Sequence, residues 1–178
     1  MDAENDHPDS EDKGEELESR QPGVEDLQEL CRELNRLKAK YVVVGGFAIR
    51  AAGYIRETMD IDLVIATDLE NEARVYQALE ILPDKAVLEL QPGEVAQYVV
   101  VRVGDEVMVD LMRSAAGITY EEAARDILVR EVRGVPIPFA SPKLLWRMKV
   151  HTHRAKDEAD LVFLRQYFTT RGEEPPEF

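Results

Sequence analysis

The segment Asp60-Ile61-Asp62-Leu63-Val64 constrains this chain more than any other stretch of its sequence. Its apolar, partly β-branched residues favour a strand, and alternate residues of a strand share one face. Asp60 and Asp62 then point one way while Ile61 and Leu63 enter a core. Two carboxylates side by side repel each other, and each raises the other's pKa unless a cation lies between them. Magnesium suits that position, being a hard ion that takes carboxylate and phosphate oxygens together. Acids at the start of a strand also serve as solvated turn residues, so the local pattern leaves both readings open.

A third acid narrows the choice. In Val107-Met108-Val109-Asp110-Leu111-Met112, the residues Val107, Val109 and Leu111 share one face, and Met108, Asp110 and Met112 share the other. A charge on an otherwise apolar face is costly unless something pairs with it. Three carboxylates from two strands suit two Mg²⁺ or Mn²⁺ ions, the arrangement used for in-line phosphoryl transfer. Gly45-Gly46 follows the apolar run Tyr41-Val42-Val43-Val44 and precedes a helical pattern, fourteen residues before Asp60. Glycines there allow a tight turn and a close approach of backbone amides to phosphate. They match neither the dinucleotide fingerprint nor the Walker loop.

Composition sets the limits around these motifs. The chain has 178 residues, 22 basic against 36 acidic, for a net charge of -14. Such a chain is a poor general binder of nucleic acid, and double-stranded DNA is not expected as a partner. No run of eighteen apolar residues occurs, so no membrane partner is expected. The first residues, Met1-Asp2-Ala3-Glu4, lack the basic and apolar regions of a signal peptide. The single cysteine, Cys31, excludes an internal disulfide framework and a multi-cysteine zinc site. Cytoplasmic residence is the resulting expectation.

Residues 1 to 23 hold nine acids and two bases and almost no large apolar groups, so a disordered acidic leader is expected there. A folded domain over 24 to 168 and a frayed tail over 169 to 178 complete the organisation. Within the domain, helical spacing predicts a helix over 24 to 38, a strand over 41 to 44 and a short helix over 47 to 54. A strand over 61 to 65 and a helix over 69 to 82 follow, the helix with Ala73, Val75, Tyr76, Leu79 and Leu82 inward. Strands over 98 to 103 and 106 to 112 meet at Gly104-Asp105, a hairpin signal. A short helix is expected over 120 to 128. Pro136 and Pro138 assign the extended segment 135 to 139 to a sheet edge. Ser141-Pro142 is a cap followed by proline at the first helical position, opening helices that run to about Phe168. The predicted fold class is α/β, with a small mixed β-sheet flanked by helices.

Val43-Val44-Gly45-Gly46, followed by Arg56-Glu57-Thr58-Met59-Asp60-Ile61-Asp62, resembles the signature of the nucleotidyltransferase superfamily with the DNA polymerase beta-like fold. The Arg56-x-Thr58-x-Asp60-Ile61-Asp62 run is similar to that of the small nucleotidyltransferases related to the abortive-infection and type IV toxin enzymes. The resemblance covers residues 24 to 168 and implies that fold, with C-terminal helices past the sheet. It further implies Asp60, Asp62 and Asp110 as the catalytic and metal-binding carboxylates, with two Mg²⁺ (or Mn²⁺) ions. It places Gly45, Gly46, Arg56, Thr58 and Lys149 at the nucleotide. Phe47 stands near the position where many members of the superfamily carry a serine, so no side-chain hydroxyl is expected at that turn.

Lys143, Arg147, Lys149, Arg154 and Lys156 follow one another with no acid between the first and last. This local positive stretch suits a triphosphate within an acidic chain, and a solvated helical face is the bland alternative. Lys149 is the expected phosphate ligand, and its replacement is expected to have a modest effect on stability if its ammonium reaches solvent. Asp157 and Asp160 are expected as helix-surface or ion-pair residues, and Trp146 as core packing. His151 and His153 face different ways and do not make a metal pair.

The activity expected from the resemblance is metal-dependent transfer of a nucleoside monophosphate from a nucleoside triphosphate, ATP or CTP, to a hydroxyl, with release of pyrophosphate. An RNA end, a partner protein and a small molecule all remain open as acceptors. A protein acceptor makes this an antitoxin-type protein adenylyltransferase. The other class is a catalytically silent nucleotide- or protein-binding module of the same fold, against which three intact carboxylates weigh.

Overall fold

The computed structural model describes residues 18–177. The leader expected over 1 to 23 lies outside the described residues as far as position 17. Residues 18–23 are described, and they are tied to the domain, unlike the expected leader. Ser19 Oγ donates to the Asp105 carbonyl at 2.6 Å, and the Arg20 backbone N–H donates to the Glu106 carbonyl at 2.9 Å. The Arg20 guanidinium also forks onto Asp26 at 2.8 and 2.7 Å. Asp26 in turn accepts the Gly23 N–H at 2.7 Å and so closes the first turn of α1 (Val24–Arg36). Leu27, Leu30, Cys31 and Leu34 form the buried face of that helix.

Two sheets follow. Strands β1 (Tyr41–Val44), β2 (Asp60–Ile65), β3 (Val101–Gly104), β4 (Met108–Met112), β7 (Ile127–Val132) and β8 (Val135–Ala140) form a six-stranded mixed sheet in the order β3-β4-β2-β1-β8-β7. Strands β5 (Ser114–Ala115) and β6 (Ile118–Thr119) form a separate short pair. The α/β class with a small mixed sheet is therefore present. Ile61 and Leu63 are buried on one face of β2 and Val64 on the other, so the centre of the sheet is covered on both sides. α1 and α3 (Leu69–Leu79) pack together, and α1 also lies on β8. α2 (Gly45–Ala52) packs on β1, β2 and β8, and α6 (Pro142–Lys149) joins it to α7 (Ala155–Thr170). No helix among the described residues is long and apolar enough to cross a membrane.

Several expectations need correction. β8 is not an edge strand: it pairs in parallel with β1 and antiparallel with β7, and β7 is the edge. Pro136 and Pro138 are two apart, so their missing N–H groups fall on one side of the strand. The ladder with β7 runs over six residues whereas that with β1 is the single pair Val43–Phe139, which assigns the prolines' barren side to β1. The helix expected over 120 to 128 stops at Ala123 as α5 (Tyr120–Ala123). Asp126 ends it: its carboxylate accepts the Ser141 hydroxyl at 2.6 Å and its carbonyl accepts the Ser141 N–H at 3.1 Å, so the chain leaves Asp126 extended as β7. The hairpin at Gly104-Asp105 is present, but its loop is the three residues 105–107, since Gly104 pairs with Met108. Residues 98–100 precede β3 rather than belonging to it, after the short helix α4 (Glu94–Gln97).

On α3 the buried positions are Asn71, Glu72, Val75, Ala78 and Leu79, and Ala73 is exposed. Two buried polar side chains explain the turn of the helix away from its apolar stripe. Glu72 accepts the N–H groups of Gly93 at 2.6 Å and Val95 at 3.3 Å, which fixes α4. Asn71 accepts the Lys40 N–H at 2.6 Å and donates to the carbonyls of Lys40 and Ala66 at 3.0 and 2.8 Å. It clips the start of β1 to the end of β2.

Replacing Asn71 by Ala takes the partner from the Lys40 amide and the Ala66 carbonyl and one of two donors from the Lys40 carbonyl, which keeps the Ala66 N–H. The expected cost is about 1–3 kcal/mol, read as a lower urea midpoint with an unchanged slope. N71D should be no better, because its carboxylate faces two carbonyl oxygens.

Candidate functional site

β2 and β4 run in parallel with Asp62 opposite Asp110 and Asp60 opposite Met108. That register, with the alternation of β2, sets Asp60, Asp62 and Asp110 on one face. One oxygen from each lies within 4.8 Å of the other two. They line a cleft of about 690 Å³, together with Gly45, Gly46, Arg56, Thr58 and Lys149. The three carboxylates and the five residues expected at the nucleotide therefore line one cleft, though not all are placed as expected.

The glycines are explained by packing. Val44 pairs with Asp62 across β1 and β2, so the next residue passes beside the Asp62 carboxylate. A Cβ on Gly45 meets Asp62 Oδ2 at 2.1 Å, and the φ of Gly45 is +66°. A Cβ on Gly46 meets the Thr58 side chain at 2.4 Å. Both glycines open α2, where the backbone N–H groups of the first turn have no helical acceptor. Thr58 is buried, and its hydroxyl donates to the Asp60 carbonyl at 3.0 Å, bracing the entry to β2.

Burial pushes the Asp62 carboxyl up to about 7, reinforced by the negative charges of Asp110 and Asp60 and opposed by Lys156 and Lys149. Hard oxygen donors converging with one carboxyl so destabilised in its charged form fit a divalent cation.

The cations behave differently from the sequence expectation. Lys149 does not reach solvent: its ammonium lies 2.8 Å from Asp157 Oδ1 and 2.9 Å from Asp160 Oδ2, and both acids are buried. Thr152 and Arg154 donate to the other oxygen of Asp157, at 2.6 and 2.9 Å. Burial pushes the Asp157 carboxyl up, but hydrogen bonds from Lys149 and Thr152 outweigh it and bring the value down to about 2. Arg56 forks onto Asp160 at 2.8 and 2.9 Å. Asp157 and Asp160 are thus ion-pair residues, and buried rather than on the helix surface. Arg147 pairs with Glu122. Lys156 is exposed on the cleft wall, with no carboxylate in ion-pair distance among the described residues.

Arg102 was not singled out from the sequence. Its Nε donates to Asp110 Oδ1 at 2.8 Å and its Nη2 to Oδ2 at 2.9 Å, with Asp60 Oδ2 a further 3.6 Å from Nη2. A two-residue turn at 104–105 sets Val99 opposite Asp110, whereas the real three-residue loop sets Arg102 there. Loop length was the signal. The neighbouring lining, Val99, Val100, Met112, Ser114, Ala115 and Ala116, is apolar but for Ser114.

No protein-family model matches this chain, and no curated protein matches its sequence. Solved structures do match it in fold. The antigenic nucleotidyltransferase-like protein from Paracoccidioides brasiliensis has 16% identity over 83% of this chain and 76% of its own, with a TM-score of 0.54. The lincomycin-bound lincosamide antibiotic adenylyltransferase LnuA has 16% identity over 83% of this chain and 99% of its own, with a TM-score of 0.54. ANT(2")-Ia in complex with adenylyl-2"-tobramycin has 15% identity over 84% and 91%, with a TM-score of 0.54. The chain has the nucleotidyltransferase fold.

Two outcomes follow from the buried charges. Lys149→Met takes the shared cation from Asp157 and Asp160, leaving Thr152 and Arg154 on the first and Arg56 on the second, and removal of one partner from a buried pair costs about 3–5 kcal/mol. At about 2–4 °C per kcal/mol for a chain of this size, the melting temperature should fall by roughly 6–20 °C. The second outcome concerns pH. Asp62 titrates near 7 in the folded protein and near its ordinary 3.8 when unfolded, so the native state binds the extra proton between these values. Stability in EDTA therefore falls as pH rises from about 4 to about 7. Urea midpoints at pH 5 and pH 8 should show this drop in the wild type and a smaller one in D62N.

Proposed function

We propose that this protein moves a nucleoside monophosphate from a nucleoside triphosphate to the hydroxyl of an acceptor and releases pyrophosphate. The observation that carries this reading is the convergence of Asp60, Asp62 and Asp110, one oxygen of each within 4.8 Å of the others, beside the glycine turn that opens α2. Asp60 and Asp62 would hold two Mg²⁺ or Mn²⁺ ions, with Asp110 sharing the one on the acceptor side. Such ions neutralise the triphosphate and polarise the reacting phosphate.

The remaining work falls to the chain itself. The backbone N–H groups of Gly45 and Gly46 offer donors to phosphate at the first turn of α2. Lys156 supplies an ammonium on the same cleft that has no carboxylate in ion-pair distance among the described residues. Lys149 and Arg56 act through Asp157 and Asp160, fixing α7 against the entry to β2 so that Lys156 faces the carboxylates. The acceptor oxygen forms its bond to the α-phosphorus, the bond from that phosphorus to the bridging oxygen breaks, and pyrophosphate leaves with the electron pair. The acceptor proton passes to the Asp110 carboxylate.

The acceptor is best read as a small molecule with an apolar face. The wall of Val99, Val100, Met112, Ala115 and Ala116 beside Asp110 suits such a face. LnuA, which shares the fold, is an adenylyltransferase with bound lincomycin. A net charge of -14 counts against an RNA end. ATP or CTP as donor and cytoplasmic residence, where triphosphates and magnesium are plentiful, go with this reading.

The test uses α-labelled ATP, CTP, GTP and UTP with Mg²⁺ or Mn²⁺, against ring-bearing neutral alcohols, total RNA and cell protein in separate reactions. Label on a small alcohol, lost in D62N and D110N, is the expected result. Label on RNA or protein replaces the acceptor class. Triphosphate binding with no transfer to any acceptor makes the protein a silent module. Lys156→Ala should weaken triphosphate binding about ten- to a hundredfold, the equivalent of losing one charge-assisted hydrogen bond worth roughly 1.5–3 kcal/mol. Unchanged binding at one ionic strength removes Lys156 from the site.

A further inference from the structure

We infer that the two ion positions of this centre are unequal, one preformed at Asp60 and Asp62 and one latched by Arg102 at Asp110. The inference rests on the reading of the carboxylates as a metal centre. Arg102 engages both oxygens of Asp110, at 2.8 and 2.9 Å, and stands 3.6 Å from Asp60 Oδ2. One guanidinium thus spans the two carboxylates that would hold an acceptor-side ion. An ion arriving there meets a fixed positive charge and two oxygens already engaged as acceptors. The position at Asp62 is different. Among the described residues Arg102 forms no ion pair with it and acts on it only at longer range, Gly45 brings no Cβ against it, and Lys156 and Lys149 offset its charge.

The latch is built to open. The Arg102 side chain is 57% exposed, whereas that of Asp110 is 8% exposed. Among the described residues, the only carboxylates within ion-pair distance of Arg102 are Asp110 and Asp60. The guanidinium can therefore turn into water and stay hydrated, whereas Asp110 cannot follow it and is left buried without its partner until another cation replaces it. When it turns, its donors become available at the mouth of the cleft. The acceptor-side ion then enters most readily together with the negative charge of a triphosphate, so the centre is completed by the substrate complex rather than beforehand. This separates Arg102, a positioning residue that acts through Asp110, from the groups that touch the nucleotide.

Mn²⁺ titration followed by electron paramagnetic resonance of the free ion, without nucleotide, tests the latch. The wild type should bind one ion tightly and a second weakly. Arg102→Gln keeps a hydrogen-bond donor but removes the charge. A unit charge about 4 Å from the ion is worth more than tenfold in affinity at the effective dielectric of a protein surface, so the second ion should tighten at least tenfold in R102Q. Arg102→Lys, which keeps the charge without the fork, should fall between. In R102Q/D110N the gain should vanish, and a loss of folding would show separately in the melting curve, which Mn²⁺ should raise more in R102Q than in the wild type. Equal second-site affinity in wild type and R102Q overturns the latch, as does a tight second ion that persists in R102Q/D110N. A single ion on both proteins also overturns the latch while leaving a metal centre in place. No Mn²⁺ on either protein at millimolar concentration removes the metal centre itself.

Discussion

Three carboxylates held within 4.8 Å of one another are the constraint to which the rest of this molecule answers. Their convergence follows from backbone pairing. The parallel register of β2 with β4 sets Asp62 beside Asp110, and the alternation of β2 adds Asp60 to the same face. Mutual repulsion opposes the arrangement, and burial of Asp62 sharpens it. The fold holds it by rigid means. Asn71 clips β1 to β2 at the far end, Thr58 braces the entry to β2, and the hairpin of β3 and β4 carries a compensating arginine opposite Asp110.

A second set of charges lies behind the first and serves a different purpose. Asp157 and Asp160 sit buried on the first turns of α7 and draw in Lys149, Arg56 and Arg154. This network joins three separate segments of the chain, namely the loop before β2, the end of α6 and the start of α7. A buried network of this kind does not add much net stability over an apolar one, but removing a member leaves the buried charges less well paired. Its value here is positional. It fixes α7 at one side of the cleft, and Lys156, adjacent in sequence to Asp157, is carried to the opening as a consequence.

The cleft that results has two unlike walls. One is formed by the glycine turn of α2 and the cationic segment between α6 and α7. The other, from the approach to β3 round to β5, is largely apolar and carries Arg102. In the proposed transfer, a phosphate-rich group and an apolar group would thus find separate sides of the same carboxylates. That division is what a group transfer between two chemically different partners requires, and it makes Arg102, on the apolar side, the natural arbiter of charge at Asp110.

Much of this was legible in the residues. Period-two alternation fixed the shared face of Asp60 and Asp62, the apolar neighbours of Asp110 marked it as exceptional, and Gly45-Gly46 marked a close approach, which Asp62 and Thr58 now explain. Ser141-Pro142 opened α6 as local capping chemistry dictates, with the hydroxyl accepting the Leu144 N–H. These are properties of neighbours in the chain. The partners of charged groups were not legible, because charge pairing acts across space between residues far apart in sequence. Lys149 and Arg56 read as phosphate ligands until α7 brought two acids onto them. Arg102 stayed hidden because one extra residue in a hairpin loop decides which side chain stands opposite Asp110. Pro136 and Pro138 suggested an edge, whereas the sheet turned their barren side toward β1 and added β7 outside. The sequence by itself determined the candidate carboxylate site, since spacing and alternation are local. Only the tertiary structure decided which cations are free to serve it, since burial and register alone assign each charge its partner.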